Sequence, residues 1–348
     1  MKVRKCLFNI LFALSGSVFL TGCYTDFTPD IDTHPVLCIN SLITAGESIS
    51  VDVTRSWVYT DIKGEEEHDV KDAVVTLYAN EMLVNSDYLP KEGDRIRICV
   101  HSRFYGDADA DVTVPFAPAV DDVMLTPVLV EGRVQDYTDS FITTLTFDMG
   151  LKFTISDSPE SIDYYHYALD YYSENEMPDD LSGVLGEDCN VSFCNLSEGS
   201  IIYKAEPIFS VHISEVDAVM GADVDGFTFF TDRQFSGASY KMNILYQNAQ
   251  AIIRCSPDNI DEICDAGYIV SLSSVSESYY SWFSYAWQSY SGSIGDLSQV
   301  GLSEPLKGYS NVSTGAGVVA ARAVTRIKIP LDKFLIENVR SALDKLKN

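Results

Sequence analysis

Hydrophobic and polar positions alternate with a period of two over most of this chain, and a helical period replaces that alternation in only two places. Val36-Leu37-Cys38-Ile39-Asn40-Ser41-Leu42-Ile43, Ser48-Ile49-Ser50-Val51-Asp52-Val53, Ala73-Val74-Val75-Thr76-Leu77-Tyr78 and Arg95-Ile96-Arg97-Ile98-Cys99-Val100 read as short strands, with Gly46, Gly64 and Gly93 in the loops. Strands at this spacing with no long helix predict a mainly β chain that opens with an Ig-like or transthyretin-like β-sandwich over 36–116. Pro115 and Pro118 mark its end. Residues 119–348 are expected to form a larger β-rich domain, with strands over 141–156, 163–172, 200–213, 227–231, 239–247 and 318–329. One helix interrupts them at about 276–290. A second follows Pro330, where Leu331, Leu335, Val339, Ala342 and Leu346 share a face and Lys345 and Lys347 suit the C-terminal end of the helix dipole.

The first 35 residues follow neither period. Lys2, Arg4 and Lys5 precede an apolar run from Leu7 to Leu20, shorter than the ~20 residues that span a bilayer, and Leu20-Thr21-Gly22-Cys23 ends it. A basic start, an apolar segment and small residues before a cysteine form a bacterial lipoprotein signal over 1–22. The mature chain is therefore expected to begin at Cys23, with diacylglycerol on its sulfur and a fatty acyl group on its amine. At roughly 0.8 kcal/mol per buried methylene, three acyl chains would hold it firmly on a membrane. Residues 23–35, with Pro29 and Asp26, Asp30 and Asp32, read as an acidic tether.

Charge and cysteine usage narrow the function classes. The net charge of −27 becomes about −30 once the leader, which carries three basic residues and no acid, is removed. Such a surface repels phosphate backbones and argues against nucleic-acid binding; it suits cations, basic partners or plain solubility. Apart from Cys6 and Cys23, six cysteines remain: Cys38, Cys99, Cys189, Cys194, Cys255 and Cys264. An even number in an exported chain permits disulfides. Spacing suggests the pairs Cys189–Cys194, Cys255–Cys264 and Cys38–Cys99; buried free thiols are the competing reading. With no CxxC pair and no histidine close to the cysteines, no zinc site is expected.

Several segments taken in order point to a family. Pro35-Val36-Leu37-Cys38-Ile39-Asn40-Ser41-Leu42-Ile43 is followed by Val70-Lys71-Asp72-Ala73-Val74-Val75-Thr76-Leu77-Tyr78 and Leu89-Pro90-Lys91-Glu92-Gly93-Asp94-Arg95-Ile96-Arg97-Ile98. Further on stand Asp157-Ser158-Pro159-Glu160-Ser161-Ile162-Asp163-Tyr164-Tyr165, then Phe229-Phe230-Thr231-Asp232-Arg233-Gln234-Phe235-Ser236-Gly237, and last Glu304-Pro305-Leu306-Lys307-Gly308-Tyr309-Ser310-Asn311-Val312-Ser313-Thr314-Gly315-Ala316-Gly317. This order resembles the Bacteroidota envelope lipoproteins of domain-of-unknown-function family 4249. Where that pattern continues past its paired glycines with an aromatic and another glycine, this chain has Val318-Val319-Ala320-Ala321. The resemblance implies an outer-membrane location, facing the cell surface or the periplasm, and a TonB-dependent transporter or other envelope protein as partner. It implies no catalytic residues.

The remaining motifs carry little chemistry. Ser291-Gly292-Ser293-Ile294-Gly295 is not a nucleophile elbow. Gly315-Ala316-Gly317-Val318-Val319-Ala320 matches a dinucleotide fingerprint loosely and reads better as a tight turn into the last strand. His68, between Glu65-Glu66-Glu67 and Asp69, reads as part of a charged hairpin loop. Asp107, Asp109 and Asp111, and the pair Asp223 and Asp225, lack the spacing of a calcium loop, so neither cluster is expected to hold the ion tightly. No cofactor or metal is expected. Aromatic residues are the most informative feature. Tyr164, Tyr165, Tyr167, Tyr171 and Tyr172 share one strand, and Tyr279, Tyr280, Trp282, Phe283, Tyr285, Trp287 and Tyr290 crowd the internal helix. Helical spacing puts 279, 282, 283, 286 and 290 on a buried face and leaves Tyr280, Tyr285 and Trp287 as contact candidates.

These observations favour a non-enzymatic lipoprotein on the outer membrane, serving a TonB-dependent transporter or another envelope complex. Two alternatives are direct capture of a glycan or other nutrient and a fimbrial or adhesin-type subunit, the latter opposed by the C-terminal helix. An unrecognised hydrolase is a further alternative.

Overall fold

A computed structural model describes residues 34–57, 68–136, 141–157, 162–174, 189–194, 206–212, 228–256, 258–291 and 308–347. Fourteen strands and two α-helices are defined within them. The first six strands are β1 (Leu37–Thr44), β2 (Asp52–Arg55), β3 (Val74–Ala79), β4 (Met82–Val84), β5 (Arg95–Ser102) and β6 (Gly106–Thr113). Next come β7 (Ala119–Asp136), β8 (Phe141–Ser156), β9 (Tyr164–Ser173), β10 (Asn190–Phe193), β11 (Phe229–Thr231), β12 (Ser239–Cys255) and β13 (Ala266–Val275). Helix α1 (Glu277–Ser291), strand β14 (Val319–Pro330) and helix α2 (Asp332–Lys347) complete the order. The mainly β expectation holds, as do the internal and C-terminal helices.

Three sheets organise the chain: β11-β9-β13-β14-β1-β2, β10-β12-β8-β7 and β4-β3-β5-β6. The larger core lies between the first two. Strand β8 shows why: every second residue, from Phe141 through Leu145, Phe147, Met149, Leu151 and Phe153 to Ile155, faces inward, while its alternate positions are half-buried or exposed. Leu331, just before helix α2, and Leu335 and Val339 within it close this core, and Phe334 meets Phe147 edge to face at 5.2 Å. Leu346, in the last turn of α2, is exposed.

The smaller core sits between β3–β5–β6 and β1, and it is not built from its own stretch of chain alone. Val312, Val319 and Ala321 join Leu37, Ile39, Ile98 and Ala110 in it. Strand β14 pairs antiparallel with β13 and parallel with β1 (Ser41 opposite Val319), so one six-stranded sheet runs on both sides of the 116–119 junction. Just before β14, Gly315-Ala316-Gly317 is more than a turn. Ala316 N–H donates to the Leu37 carbonyl at 2.8 Å, and Ile39 N–H donates to the Ala316 carbonyl at 2.9 Å, laying this segment flat against β1.

Several expectations are corrected. Cys189 is bonded to Cys255, because β10 and β12 pair with Asn190 opposite Arg254 and bring the two cysteines side by side. The pairs Cys189–Cys194 and Cys255–Cys264 are therefore not formed, and Cys194 and Cys264 are free thiols. Cys38 and Cys99 are also free: each lies between core-facing neighbours, Leu37 and Ile39 or Ile98 and Val100, so each thiol points away from the core they enclose. Residues 207–212 form a 3₁₀ turn rather than strand. His68 is not on an exposed loop; it is 1% exposed and stacks on Trp57 at 4.0 Å. Asp107, Asp109 and Asp111 lie within β6, facing outward between Ala108, Ala110 and Val112. Cys23 and the tether through Thr33, together with Asp223 and Asp225, fall outside the described residues.

Candidate functional site

Helix α1 lies over the outer face of the six-stranded sheet, on the side away from the main core. Ser276 caps it, accepting from Tyr279 N–H at 3.3 Å, and the same hydroxyl accepts from Ala321 N–H at 3.0 Å, which pins the helix start to β14. Ser278 adds a hydrogen bond to the Val319 carbonyl at 2.9 Å. Beneath the helix, buried Phe229 and Val275 pack against Tyr164, Tyr279, Tyr280, Phe283 and Trp287. Phe283 stacks on Phe229 at 4.2 Å, and Trp287 on Phe283 at 6.3 Å.

This packing turns the helix from the orientation its spacing predicts. Tyr280 and Trp287 belong to the packed side, whereas Trp282, expected to be buried, is 41% exposed. The physical reason is the ring of Phe229, which takes Tyr279 and Phe283, at i and i+4, as its partners, while Phe283 in turn carries Trp287 one turn further on.

At the first turn of α1 the packed aromatics adjoin exposed and half-buried groups from four separate segments, a cluster called the niche below. Tyr164 begins β9 and meets the Tyr280 ring at 4.8 Å. Arg233 stands in the short turn after β11, exposed. Tyr309 lies in the segment leading to β14 and is half-buried, and Gly308 beside it passes under the Tyr285 hydroxyl. Glu277 opens the helix and is exposed. Three of these residues come from the three later segments that carry the family resemblance. Those segments are fastened together: Asp157 accepts from the Tyr165 hydroxyl at 2.7 Å and from Gly237 N–H at 2.9 Å, and Asp232 N–H donates to the Asp163 carbonyl at 3.1 Å. Asn311 locks onto Val319 through both ends of its amide, at 2.8 and 2.9 Å.

Strand pairing brings these groups together: Tyr164 lies opposite Thr231, two residues before Arg233, and opposite Val275, two residues before Glu277. Burial, and after it the charge of Glu277, hold the Tyr164 hydroxyl above its ordinary range, while Arg233 pulls the other way. Tyr309 is raised by burial and by the same carboxylate. Burial pushes Tyr280 up to about 12. All three phenols therefore stay protonated near neutral pH and keep a proton to donate.

His166, two residues along β9, stacks on Phe229 at 4.2 Å and is pulled down to about 4, by burial first and by Arg322 second. Its folded pKa lies below the unfolded value near 6.5, so the folded state binds fewer protons between the two. Stability is then full above about pH 6.5 and falls by about 3 kcal/mol as pH drops through that interval to below 4. Urea unfolding at pH 7 and at pH 4.5 should show this loss, and His166→Phe should make the dependence shallower. An unchanged slope in the variant would assign the loss to other groups.

The other acidic clusters are committed elsewhere. Asp111 pairs with Arg95 at 3.0 Å, Asp109 with Arg97 at 3.0 Å and Asp107 with His101 at 2.5 Å, forming a ladder across the exposed face of β5 and β6. Asp109 also accepts from Ser313 at 2.6 Å, the largest cause of its lowered pKa. Buried Glu206 accepts from the Tyr240 hydroxyl at 2.6 Å and from Asn243 N–H at 2.7 Å, an internal fastening of the sandwich. No group of three or more His, Cys, Asp or Glu residues suited to a metal ion occurs among the described residues.

Of the contact candidates read from the sequence, Tyr280 and Tyr285 border the niche and Trp287 supports it from beneath the helix. Tyr164, Glu277, Arg233 and Tyr309 were not singled out as a site. Their shared location depends on long-range strand pairing, and the only local signal was that three of them sit in the resemblance segments. No curated protein and no solved structure matches the chain. The model of a family described as a domain of unknown function (DUF4249) matches residues 24–328, and the chain belongs to that family.

Proposed function

We propose that this protein works by binding rather than catalysis, as a lipid-anchored envelope protein that serves a TonB-dependent outer-membrane transporter or another envelope complex. The observation that carries the binding role is the niche at the start of α1. Aromatic rings, hydroxyls and one charge of each sign are gathered there outside the main core, supported by buried residues that fix their positions. The leader ending at Cys23 supports the anchor, and the envelope setting is what the resemblance read from the sequence implies. A tether of this kind raises the concentration of the niche near its neighbours without any additional contact.

Two measurements test this reading. Cys23→Ala should move the full chain from the membrane to the soluble fraction, and the native amino terminus should carry acyl mass; unchanged fractionation would defeat the anchor. Affinity purification in mild detergent should recover a barrel protein with the chain. Recovery of the chain alone, as a monomer, would remove the transporter from the proposal.

A further inference from the structure

We propose that the niche formed by Tyr164, Tyr280, Tyr309, Glu277 and Arg233 binds a neutral sugar ring of an oligosaccharide. This rests on the binding role proposed above and names its ligand class.

The groups present match that ligand in three respects. A pyranose has apolar C–H faces that pack flat on aromatic rings and a rim of hydroxyls that each need donors and acceptors. The Tyr164 and Tyr280 rings, packed on one another at 4.8 Å and half-buried, supply the aromatic surface. The rim finds hydroxyls that donate and accept at Tyr164 and Tyr309, an acceptor at Glu277 and a planar donor at Arg233. Among the described residues, the Tyr164 and Tyr309 hydroxyls, the Glu277 carboxylate and the Arg233 guanidinium make no hydrogen bond or ion pair; Glu277 and Arg233 are exposed and the two tyrosines half-buried.

Charge favours a neutral ligand. Glu277 and Arg233 offset one another inside the niche, while the chain as a whole carries −27 and repels anions such as uronates and phosphates.

The test is calorimetric titration of the full chain, in a detergent without a sugar head group, with neutral hexaoses of glucose, mannose and xylose. A hexamer of galacturonate is the anionic control. At least one neutral hexaose should bind with a dissociation constant of about 1 mM or tighter. Glu277→Gln, Arg233→Ala and Tyr309→Phe, each removing one hydrogen-bonding group, should each weaken binding by about tenfold. All three should keep the parent melting temperature. Trp282→Ala, about 140° around the helix from Glu277, should bind as the parent does.

Absence of binding by every neutral hexaose up to about 10 mM overturns the proposal. So does preference for galacturonate, or affinity lost in Trp282→Ala but kept in Glu277→Gln. The binding role is judged separately, by membrane fractionation and barrel recovery without added sugar. A failed titration beside intact recovery removes the sugar alone, whereas sugar binding by a solitary monomer removes the transporter alone.

Discussion

Gly317→Val should prevent the chain from accumulating in its folded form. Gly317 has φ +101°, which side-chain-bearing residues rarely adopt, and a Cβ there would lie 2.3 Å from the Ile39 carbonyl oxygen and 2.8 Å from the Ile39 amide nitrogen. The obstacle is the backbone of β1, fixed on both sides by its pairing with β2 and with the 316–322 stretch, so no flexible side chain can yield. The cost should exceed about 4 kcal/mol, in the range reserved for strained backbone and forced overpacking. Even Gly317→Ala should lower the melting temperature by about 10 °C or more, at about 2–4 °C per kcal/mol for a chain of this size. Gly46→Ala is the comparison: φ is +80° but nothing lies within 4 Å, so only the conformational cost of about 1 kcal/mol applies. A Gly317→Ala protein that melts within about 2 °C of the parent would show that this segment does not lie against β1.

Loss of the Cys189–Cys255 bond should have the next largest effect. The bond links residues 66 positions apart, so cutting it releases a long loop in the unfolded chain, with an expected loss of about 4 kcal/mol in the chain-entropy account. Both cysteines are nearly fully buried, at 3% and 1% exposure, in the same core as Val191 and Ile253. Cys189→Ala with Cys255→Ala should therefore lower the urea midpoint, and dithiothreitol should do the same to the parent but not to the variant. Cys194→Ser and Cys264→Ser, at exposed free thiols, should leave the midpoint unchanged. Peptide mapping without reduction checks the pairing directly. A peptide joining 189 to 194, or 255 to 264, would contradict the β10–β12 register.

These cysteines mark where local spacing stops being informative. Short separations suggested local pairs, but the strands place 189 beside 255. By contrast, β8 was legible to its exact ends because one face is core and the other is not, so sixteen residues alternate without a break. Strand β13 was missed for the opposite reason: nine of its ten positions are buried, including Ser271, Ser273 and Ser274, and burial on both faces erases the alternation. Strand β7 was missed because Pro127 and two register shifts interrupt its period, and because Met124, Val128 and Val130 face outward on a sheet edge. In β6 the alternation was present but muted. Its inward residues Ala108 and Ala110 are small, Ala108 lying close to Gly315, so the aspartates dominated the reading. The aromatic helix was legible as a candidate surface, yet its rotation was not, since Phe229 from a distant strand sets it. The niche has the same origin: no local pattern joins residues 164, 233, 277 and 309.

The pairing of β1 with β14 bears on how this protein comes into being. Ser41 is opposite Val319, and the smaller core lacks a wall until Val312, Val319 and Ala321 arrive. No early fragment can close that core by itself, so nearly the whole polypeptide must emerge before its opening strand finds a mate. Contacts of such long sequence range make folding slow and keep strand edges bare for much of the process. Under the proposed export across a membrane in unfolded form, the delay is an advantage: the last strand to cross is the one that lets the first one settle.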